Sequence, residues 1–361
     1  MTSSPEISAP SLDHYVSTAG AAEVEELRTL AGSLEGSVVE MVNSTAVGGG
    51  VAEILTRLLP LMRELGLDAR WHVMEGGPEF YDVTKAFHNA LHGSIHEFRP
   101  RDFDIFLDYN RLNRQHLPLD GRFIVIHDPQ PPAFSRQLPI PQYLFYPSID
   151  PLSEKNRDLT PEFIADVLTK FGIDPNRTVL TQISRFDRLK DPLGVLRAYR
   201  IVKRYFDCQL VLAGGGASDD PEGNTVLAEV REAAGSDPDV FILELPPSDP
   251  LVVNALQRPS TIIIQKSLRE GFGLTVAEAL WKKKPVVASA AGGIPTQVIH
   301  RHTGLLAHSV EGTAYQIRFL LAHPDIAQRL GEQGHEHVRE NFLITGNLKR
   351  YLTLFLHSQF G

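Results

Sequence analysis

Residues 269–279 read Arg-Glu-Gly-Phe-Gly-Leu-Thr-Val-Ala-Glu-Ala, and they connect a short apolar run to a helical pattern. The preceding run, residues 261–265, is β-branched and apolar, which is typical of a buried parallel strand. Gly271 and Gly273 permit a sharp turn, and they leave amide groups free to face an anion where the next helix begins. The stretch therefore predicts strand, glycine turn and helix, the repeating unit of a parallel α/β fold.

Two carboxylates, those of Glu270 and Glu278, bracket this glycine turn. A carboxylate accepts hydrogen bonds from vicinal hydroxyls, so two of them beside an anion site suit a ligand with hydroxyls on both sides of a phosphate. Nucleotide sugars have that layout. A simpler interpretation of Glu278 is a capping box with Thr275, in which the carboxylate only closes the helix N-terminus. From the sequence alone the two interpretations are equally good.

The bulk properties of the chain limit its class. Its 361 residues suit two α/β domains, and a formal charge of -9 gives no general attraction to nucleic acid or anionic membranes. The single cysteine, Cys208, excludes an internal disulfide and a cysteine-rich metal site. No apolar run approaches the roughly 20 residues that span a bilayer, and the first residues lack the pattern of a signal peptide. We therefore expect a cytoplasmic protein without nucleic-acid or membrane partners.

Strand-like runs alternate with helical patterns along most of the chain. The predicted strands are residues 38–42, 69–75, 123–126, 178–183, 209–213, 240–243, 261–265, 285–289 and 304–306. The predicted helices are residues 21–34, 51–65, 83–92, 102–116 and 275–283, with most of residues 310–357. This alternation predicts parallel, doubly wound sheets in two Rossmann-like domains.

Loops that follow the predicted strands carry glycines and cations. Residues 48–50 are three successive glycines, more than a tight turn needs, which favours close approach by a ligand. Arg185 and Lys190 follow the strand at residues 178–183, where two cations can neutralise a diphosphate and stabilise it as it departs, without a metal. The alternative is a surface salt-bridge cluster of these cations with Asp187 and Asp191.

A second group of polar residues lies in the N-terminal half. Lys85, His88, Asn89 and His92 share one predicted helical face, which could line a sugar pocket or simply face solvent. A zinc site from His88 and His92 lacks an obvious third ligand. His127 and Asp128 end the strand at residues 123–126, where ligands of α/β sheets bind. A histidine there could also be satisfied by backbone groups.

Taken together, Glu270 with Glu278, Arg185 with Lys190, and the glycine turn at 292 and 293 resemble the retaining GT-B glycosyltransferases of family 4. Four further motifs are similar to the trehalose glycosyltransferring synthase branch of that family. They are residues 43–53, 87–91, 127–131 and 147–156. The resemblance covers nearly the whole chain after about Val38.

The resemblance implies a role for each matching residue. Glu270, Arg185 and Lys190 would be catalytic, with the two cations on the diphosphate and Glu270 on the donor glucose. Glu278 would bind the ribose hydroxyls. The other donor-binding residues would be Gly49, Gly50, Gly214, Gly271, Phe272, Gly273 and Leu274. The acceptor-binding residues would be Lys85, His88, Asn89, His127 and Asp128.

The same resemblance implies an architecture and a reaction. Residues 1–147, completed by a helix at 342–361, would form the acceptor-side domain, and residues 148–341 would bind the nucleotide sugar across an interdomain cleft. Glucose would pass from a nucleoside-diphosphate glucose to the anomeric hydroxyl of free glucose with retention, giving α,α-trehalose. The chemistry would need no cofactor. A use of Mg²⁺, reversal of the reaction and a homodimer stay open.

Three alternatives remain at this point. A trehalose phosphorylase would use inorganic phosphate in place of the nucleotide, and a nucleotide-sugar epimerase would share the architecture but explain the acceptor-side motifs less well. The third is a nucleotide-sugar-binding protein without catalysis. Members of the resembled family have, after the motif at 127–131, a further stretch that includes a strand and a histidine, whereas here Pro132 runs almost directly into Gln142.

Overall fold

The computed structural model describes residues 11–46, 50–91, 95–127, 143, 145–215, 221–246 and 249–360. Side chains at 88, 89, 91, 221, 222 and 360 lie outside the description. Contacts divide the chain into two compact units, one formed by Met1–Pro147 with Ile344–Gly361 and the other by Ser148–Leu343. The functional roles predicted for the two domains remain predictions.

The described residues form nine strands. They are β1 (Val38–Asn43), β2 (Asp68–Val73), β3 (Phe123–Ile126), β4 (Thr178–Ile183), β5 (Cys208–Gly214), β6 (Val240–Glu244), β7 (Ile262–Gln265), β8 (Val286–Ser289) and β9 (Leu305–Ala307). Each lies within about two residues of a predicted strand. The pattern of short apolar runs is therefore a reliable guide in this chain, because buried parallel strands are rich in apolar residues.

The described residues also form fourteen α-helices. They are α1 (Val16–Ala19), α2 (Ala21–Gly32), α3 (Gly50–Glu64), α4 (Pro78–Leu91), α5 (Pro100–His116), α6 (Pro161–Phe171), α7 (Pro192–Lys203), α8 (Pro221–Ala234), α9 (Pro250–Gln257), α10 (Leu274–Trp281), α11 (Ile294–Gln297), α12 (Val310–Ala322), α13 (Pro324–Asn341) and α14 (Ile344–Phe360). Short 3-10 helices span Leu12–Tyr15 and Arg188–Lys190. None of the described helices is long and apolar enough to cross a membrane.

In the first unit, a parallel sheet has the strand order β2-β1-β3. Val39 and Met41 of β1 are fully buried, as are apolar side chains of α3. Helix α14 packs in this unit, where the ring of Phe355 stacks on that of Phe123 with centroids 4.4 Å apart. The residues just before α14 belong to the second unit, since the backbone N–H of Ile149 donates to the carbonyl of Phe342 at 2.8 Å.

In the second unit, a six-stranded parallel sheet has the order β6-β5-β4-β7-β8-β9. Every residue of β5 is buried, including Cys208, and burial raises the pKa of its thiol to about 11. Strands β5 and β6 extend the sheet from one side of β4, and β7 to β9 extend it from the other. The order therefore reverses between β4 and β7. In open α/β sheets, ligands bind beyond the carboxyl ends of the strands at such a reversal.

Candidate active site

The loops that follow β4 and β7 meet at this reversal of strand order. The two strands pair in parallel, with Thr181 opposite Ile263, so their carboxyl ends lie at the same edge of the sheet. The loop after β4 carries Lys190, and the loop after β7 carries Glu270. Lys190 Nζ donates to both carboxylate oxygens of Glu270, each at 2.7 Å. The structure thus brings together two residues that are 80 positions apart in the sequence.

Burial strengthens this contact between Lys190 and Glu270. The two side chains are only 18% and 8% exposed, so solvent screens their attraction less than at an open surface. The alternative prediction, a surface cluster in which Lys190 pairs with Asp187 or Asp191, is wrong for the lysine side chain. Asp187 instead accepts from the backbone N–H of Lys190 at 3.0 Å, which fixes the turn before it.

Arg185, the other predicted cation, differs from Lys190 in its surroundings. Its side chain is 63% exposed, and its guanidinium lies 3.5 Å from the carboxylate of Asp187. The salt-bridge interpretation therefore holds in part for Arg185. An exposed pair of this kind contributes little to stability, so the guanidinium can leave Asp187 for a phosphate at small cost.

Neutral hydrogen-bond donors hold the Glu270 carboxylate from the side of β7. Ser267 Oγ donates to Glu270 Oε2 at 3.0 Å, and Gln265 Nε2 donates to the same oxygen at 3.2 Å. The Gln265 amide also donates to Ser267 Oγ at 2.9 Å and accepts from Thr275 Oγ1 at 3.3 Å. Gln265 and Ser267 were absent from the predicted site. Both are polar residues at the carboxyl end of the buried strand β7, where the strand order reverses. That position is the signal that could have identified them as site residues.

The glycines at 292 and 293 shape the backbone beside Glu270. A Cβ added at Gly292, whose φ is +53°, would lie 1.6 Å from the carbonyl oxygen of Glu270. The N–H of Gly293 donates to the carbonyl of Gly271 at 2.7 Å. In contrast, a Cβ at Gly271 would meet nothing within 4 Å, so that side of the turn borders open space. The predicted turn at 292 and 293 is thus a close backbone contact, and Gly271 is the glycine that a ligand can approach.

Gly214, at the end of β5, was predicted to bind the donor. A Cβ at this position would lie 1.7 Å from the carbonyl oxygen of Ser184. The close approach of the loop after β4 is therefore enough to require glycine here. A contact between Gly214 and the donor remains a prediction.

Glu278 is buried in α10 and does not cap the helix. The helix begins at Leu274 and follows Gly273, whose φ of +83° suits glycine, and no side chain caps it. Thr275 is consequently inside the helix, and its hydroxyl donates to Gln265. The capping-box interpretation of Glu278 is therefore wrong.

The surroundings of Glu278 instead leave one carboxylate oxygen unsatisfied. The residue is 1% exposed, and its Oε1 lies 3.9 Å from Lys155 Nζ. Its Oε2 is buried without a hydrogen-bond partner among the described residues. Such a buried oxygen costs about 1–3 kcal/mol, which a hydrogen bond from a ligand hydroxyl would offset. Lys155 had no predicted role, although the motif at 147–156 contains it.

The candidate residues of the first unit, which were predicted for the donor (Gly49 and Gly50) as well as for the acceptor, are described only in part. Gly50 begins α3, and Lys85 is exposed on α4. The ring of His127 follows β3, and its Nε2 lies 3.3 Å from the sulfur of Met41. Burial lowers the pKa of this imidazole to about 4, so the ring is neutral at pH 7. Outside the described residues lie Gly49, His92 and Asp128, as do the side chains of His88 and Asn89.

A cavity of about 180 Å³ lies beside the loop after β7. Ser267, which holds Glu270, is one of its lining residues. The others are Lys266, Leu268, Ser289, Ala290, Ala291, Ala307, His308, Ser309 and Thr313. Within the described ranges, no group of three or more His, Cys, Asp or Glu side chains is arranged to hold a metal ion. The zinc hypothesis for His88 and His92 depends on side chains outside those ranges.

Comparison with known proteins identifies the family. Residues 41–171 match the family described as trehalose synthase, N-terminal domain, and residues 165–337 match glycosyl transferases group 1. The chain is 39% identical to the trehalose synthase of Thermococcus litoralis, over 95% of this chain and 96% of that protein. It is 40% identical to the trehalose synthase of Rubrobacter xylanophilus, over 91% and 92% of the two chains.

The first of these alignments bears on the shortened stretch after Pro132. It spans 395 positions, more than the 361 residues of this chain, so the relative contains residues that have no counterpart here. That the difference falls after Pro132 remains a prediction.

More distant matches include a trehalose phosphorylase and a solved structure of the same fold. A trehalose phosphorylase of Pleurotus pulmonarius is 26% identical over 95% of this chain, but the match covers only 60% of that protein. Among solved structures, a trehalose-6-phosphate protein of E. coli bound with UDP-2-fluoro glucose has a TM-score of 0.69. It is 12% identical over 88% of this chain and 99% of its own, which shows the fold alone. The chain therefore belongs to the trehalose synthase family of group 1 glycosyltransferases, and it is an enzyme with the GT-B fold.

Proposed function

We propose that the enzyme transfers glucose from a nucleoside-diphosphate glucose to the anomeric hydroxyl of free glucose, with retention, and so makes α,α-trehalose. The observation that carries the proposal is the buried contact of Lys190 with Glu270 at the carboxyl ends of β4 and β7. It puts a cation for a diphosphate next to a carboxylate for sugar hydroxyls. A nucleotide sugar has a diphosphate on one side of its reacting bond and sugar hydroxyls on the other, which an ammonium and a carboxylate can bind.

The reaction changes two bonds at C1 of the donor glucose. The bond from C1 to the phosphate oxygen breaks, and its electron pair leaves with the nucleoside diphosphate. A bond forms between C1 and the anomeric oxygen of the acceptor, whose proton passes to the departing phosphate. Negative charge therefore develops on the diphosphate, where Lys190 and Arg185 would stabilise it. Lys190 has three N–H donors and uses two of them on Glu270, which leaves one for a phosphate oxygen.

Glu278 supports a nucleotide donor over inorganic phosphate. Its buried Oε2 has no partner among the described residues, and a ribose hydroxyl would supply the missing hydrogen bond. Inorganic phosphate has no ribose, so a phosphorylase reaction would leave this oxygen without a hydrogen bond. We therefore favour the synthase over a phosphorylase. The UDP sugar in the E. coli neighbour makes UDP-glucose the first donor to test.

The test is product analysis with the purified chain. Free glucose is incubated with UDP-, ADP- or GDP-glucose, and trehalose and nucleoside diphosphate are both quantified. Equimolar trehalose and nucleoside diphosphate support the proposal. Trehalose breakdown that requires inorganic phosphate would indicate a phosphorylase, and nucleotide binding without turnover would indicate a non-catalytic binder.

Further parts of the proposal concern the setting of the enzyme. We propose that it is cytoplasmic and that its chemistry needs no cofactor, and a homodimer stays open. Light scattering after size-exclusion chromatography measures the oligomeric state, and fractionation of the source cells gives the compartment. Reversibility is tested by incubating trehalose with each nucleoside diphosphate.

A further inference from the structure

Two salt bridges connect the loop after β4 to the loop after β7. Besides the contact of Lys190 with Glu270, the ammonium of Lys266 contacts the carboxylate of Asp191. These two side chains are 10% and 12% exposed, so the second pair is also shielded from water. We propose that Asp191 and Lys266 are positioning residues that hold Lys190 in place against Glu270. The proposal rests on the diphosphate-binding role given to Lys190 above.

The backbone of Asp191 supports this proposal. Its φ is 46° and its ψ is 53°, the left-handed region that aspartate and asparagine adopt more readily than other residues with a side chain. The carboxylate of this residue contacts the N–H of Gly194 and the ammonium of Lys266, so the conformation is held from both sides. Lys190 is the preceding residue, and this unusual conformation sets the direction of the chain as it leaves the lysine.

The Asp191 carboxylate uses its two oxygens differently. Oδ1 accepts from the N–H of Gly194 at 2.9 Å and so caps the start of α7. Oδ2 contacts the ammonium of Lys266. The guanidinium of Arg197 lies farther away, 3.8 Å from Oδ1. One oxygen therefore serves the helix, and the other joins the two loops.

Contacts on both sides of Lys190, a backbone hydrogen bond before it and the salt bridge after it, show how the pair acts on it. The N–H of Leu268 donates to the carbonyl of Leu189 at 2.7 Å, which joins the same two loops. Lys266 lies two residues before Leu268, and Asp191 lies two residues after Leu189. The salt bridge and this hydrogen bond thus hold the peptide groups around Lys190 against the β7 loop. Asp187 and Gln182 also hold the backbone of Lys190 from within the second unit, so loss of the salt bridge shifts the lysine ammonium away from Glu270 without unfolding the loop.

A simpler explanation is that Asp191 only caps α7, and two single variants separate the possibilities. Asp191→Asn keeps a cap acceptor and tolerates the left-handed conformation, but it removes the charge that Lys266 needs. Lys266→Met removes the cation and leaves the cap untouched. We expect both variants to lower kcat by roughly 10- to 100-fold and to weaken UDP binding, at a temperature where they remain folded.

A matched control comes from another salt bridge of the same unit. Lys203 Nζ lies 2.6 Å from Asp237 and 3.0 Å from Asp239, in contacts that do not involve the loops after β4 and β7. Lys203→Met should lower the Tm and leave kcat and UDP affinity unchanged. Comparison with this variant separates the effect of lower protein stability from the effect of a displaced Lys190 side chain.

The double variant Asp191→Asn with Lys266→Met provides the deciding measurement. It has no unpaired buried charge, so its Tm should recover relative to either single variant. If the pair positions Lys190, kcat stays low in the double variant. Recovery of kcat together with Tm, or wild-type kcat in either single variant, would overturn the inference.

UDP affinity keeps this test separate from the proposed reaction. If the wild-type enzyme makes no trehalose from any donor, the proposed function fails, but calorimetric titration with UDP still reports on Lys190. Weaker UDP binding in both single variants, with unchanged binding in Lys203→Met, would support the positioning role. Unchanged binding in all three variants would refute it.

Discussion

One added methyl group at Gly292 should disable the site without altering any predicted catalytic side chain. The new Cβ of Gly292→Ala would lie 1.6 Å from the carbonyl oxygen of Glu270 and 3.0 Å from that of Gly271. Ordinary van der Waals contact begins at 3.4 Å, so one of the two backbones must move by about 2 Å. Neither neighbour is a flexible side-chain end that could turn aside.

The displacement translates into a loss of activity. The Glu270 carboxylate is held by Ser267, Gln265 and Lys190, and a shift of its backbone breaks some of these contacts. A misplacement of about 1 Å can cost about 100-fold in rate, so we expect kcat/KM to fall by at least about 100-fold. The left-handed φ of residue 292 adds a separate stability cost on the order of 1 kcal/mol.

Gly235→Ala is the matched control for the cost of backbone conformation. Gly235 has a φ of +62°, close to that of Gly292, but a Cβ there would meet nothing within 4 Å. The assay compares initial rates of trehalose formation and Tm for both variants and the wild type. Gly235→Ala should lose some stability and keep its kcat/KM. If Gly292→Ala turns over as fast as Gly235→Ala, the contact with Glu270 does not matter and the reasoning is refuted.

Three further predictions concern the donor, the pH dependence of stability and metal ions. Glu278→Gln should raise the donor KM about tenfold with little change in kcat, because the amide accepts fewer hydrogen bonds from the ribose hydroxyls. An unchanged donor KM in steady-state kinetics would contradict the proposed contact of Glu278 with ribose. In the folded state the pKa of His127 is about 4, so the imidazole stays neutral until the pH falls to that value. The unfolded imidazole takes up a proton near pH 6.5. The contribution of His127 to the free energy of unfolding is therefore complete above that pH, and it falls by up to about 3 kcal/mol as the pH drops towards 4. Urea unfolding at several pH values should show this loss in the wild type and a smaller one in His127→Gln. If the unfolding free energy falls equally steeply with pH in both proteins, the prediction is contradicted. Treatment with EDTA followed by gel filtration should leave the rate unchanged, because Lys190 and Arg185 supply the positive charge, whereas a loss restored by Mg²⁺ would show metal dependence.

The strands and their loops could be predicted from the sequence because their signals are local. Residues 262–265 form β7 within the predicted run 261–265, since a fully buried strand is mostly a short apolar run between polar loops. The glycines and charges that follow such runs mark the edge where ligands bind. The family of the enzyme could be recognised from the same loops.

The partner of Lys190 could not be predicted in this way. Its contact with Glu270 depends on β4 and β7 being neighbours, and strand order is set by long-range packing. The alternative from local charge paired Lys190 with Asp187 and Asp191, which are close in sequence. The backbone conformations of Gly273 and Asp191 decide instead where α10 begins and how the loop after β4 turns.

Helix α14 has a consequence for the order in which the chain folds. The first unit needs this helix, because Phe355 stacks on Phe123 and Lys349 reaches Glu26 at 2.6 Å. The second unit, Ser148–Leu343, is continuous in the sequence and can fold as it leaves the ribosome. The segment that is synthesised first must therefore wait for residues 344–360 before its core is complete. During that interval its apolar surface is exposed to chaperones and proteases, so truncation before α14 should cause degradation that begins in the N-terminal unit.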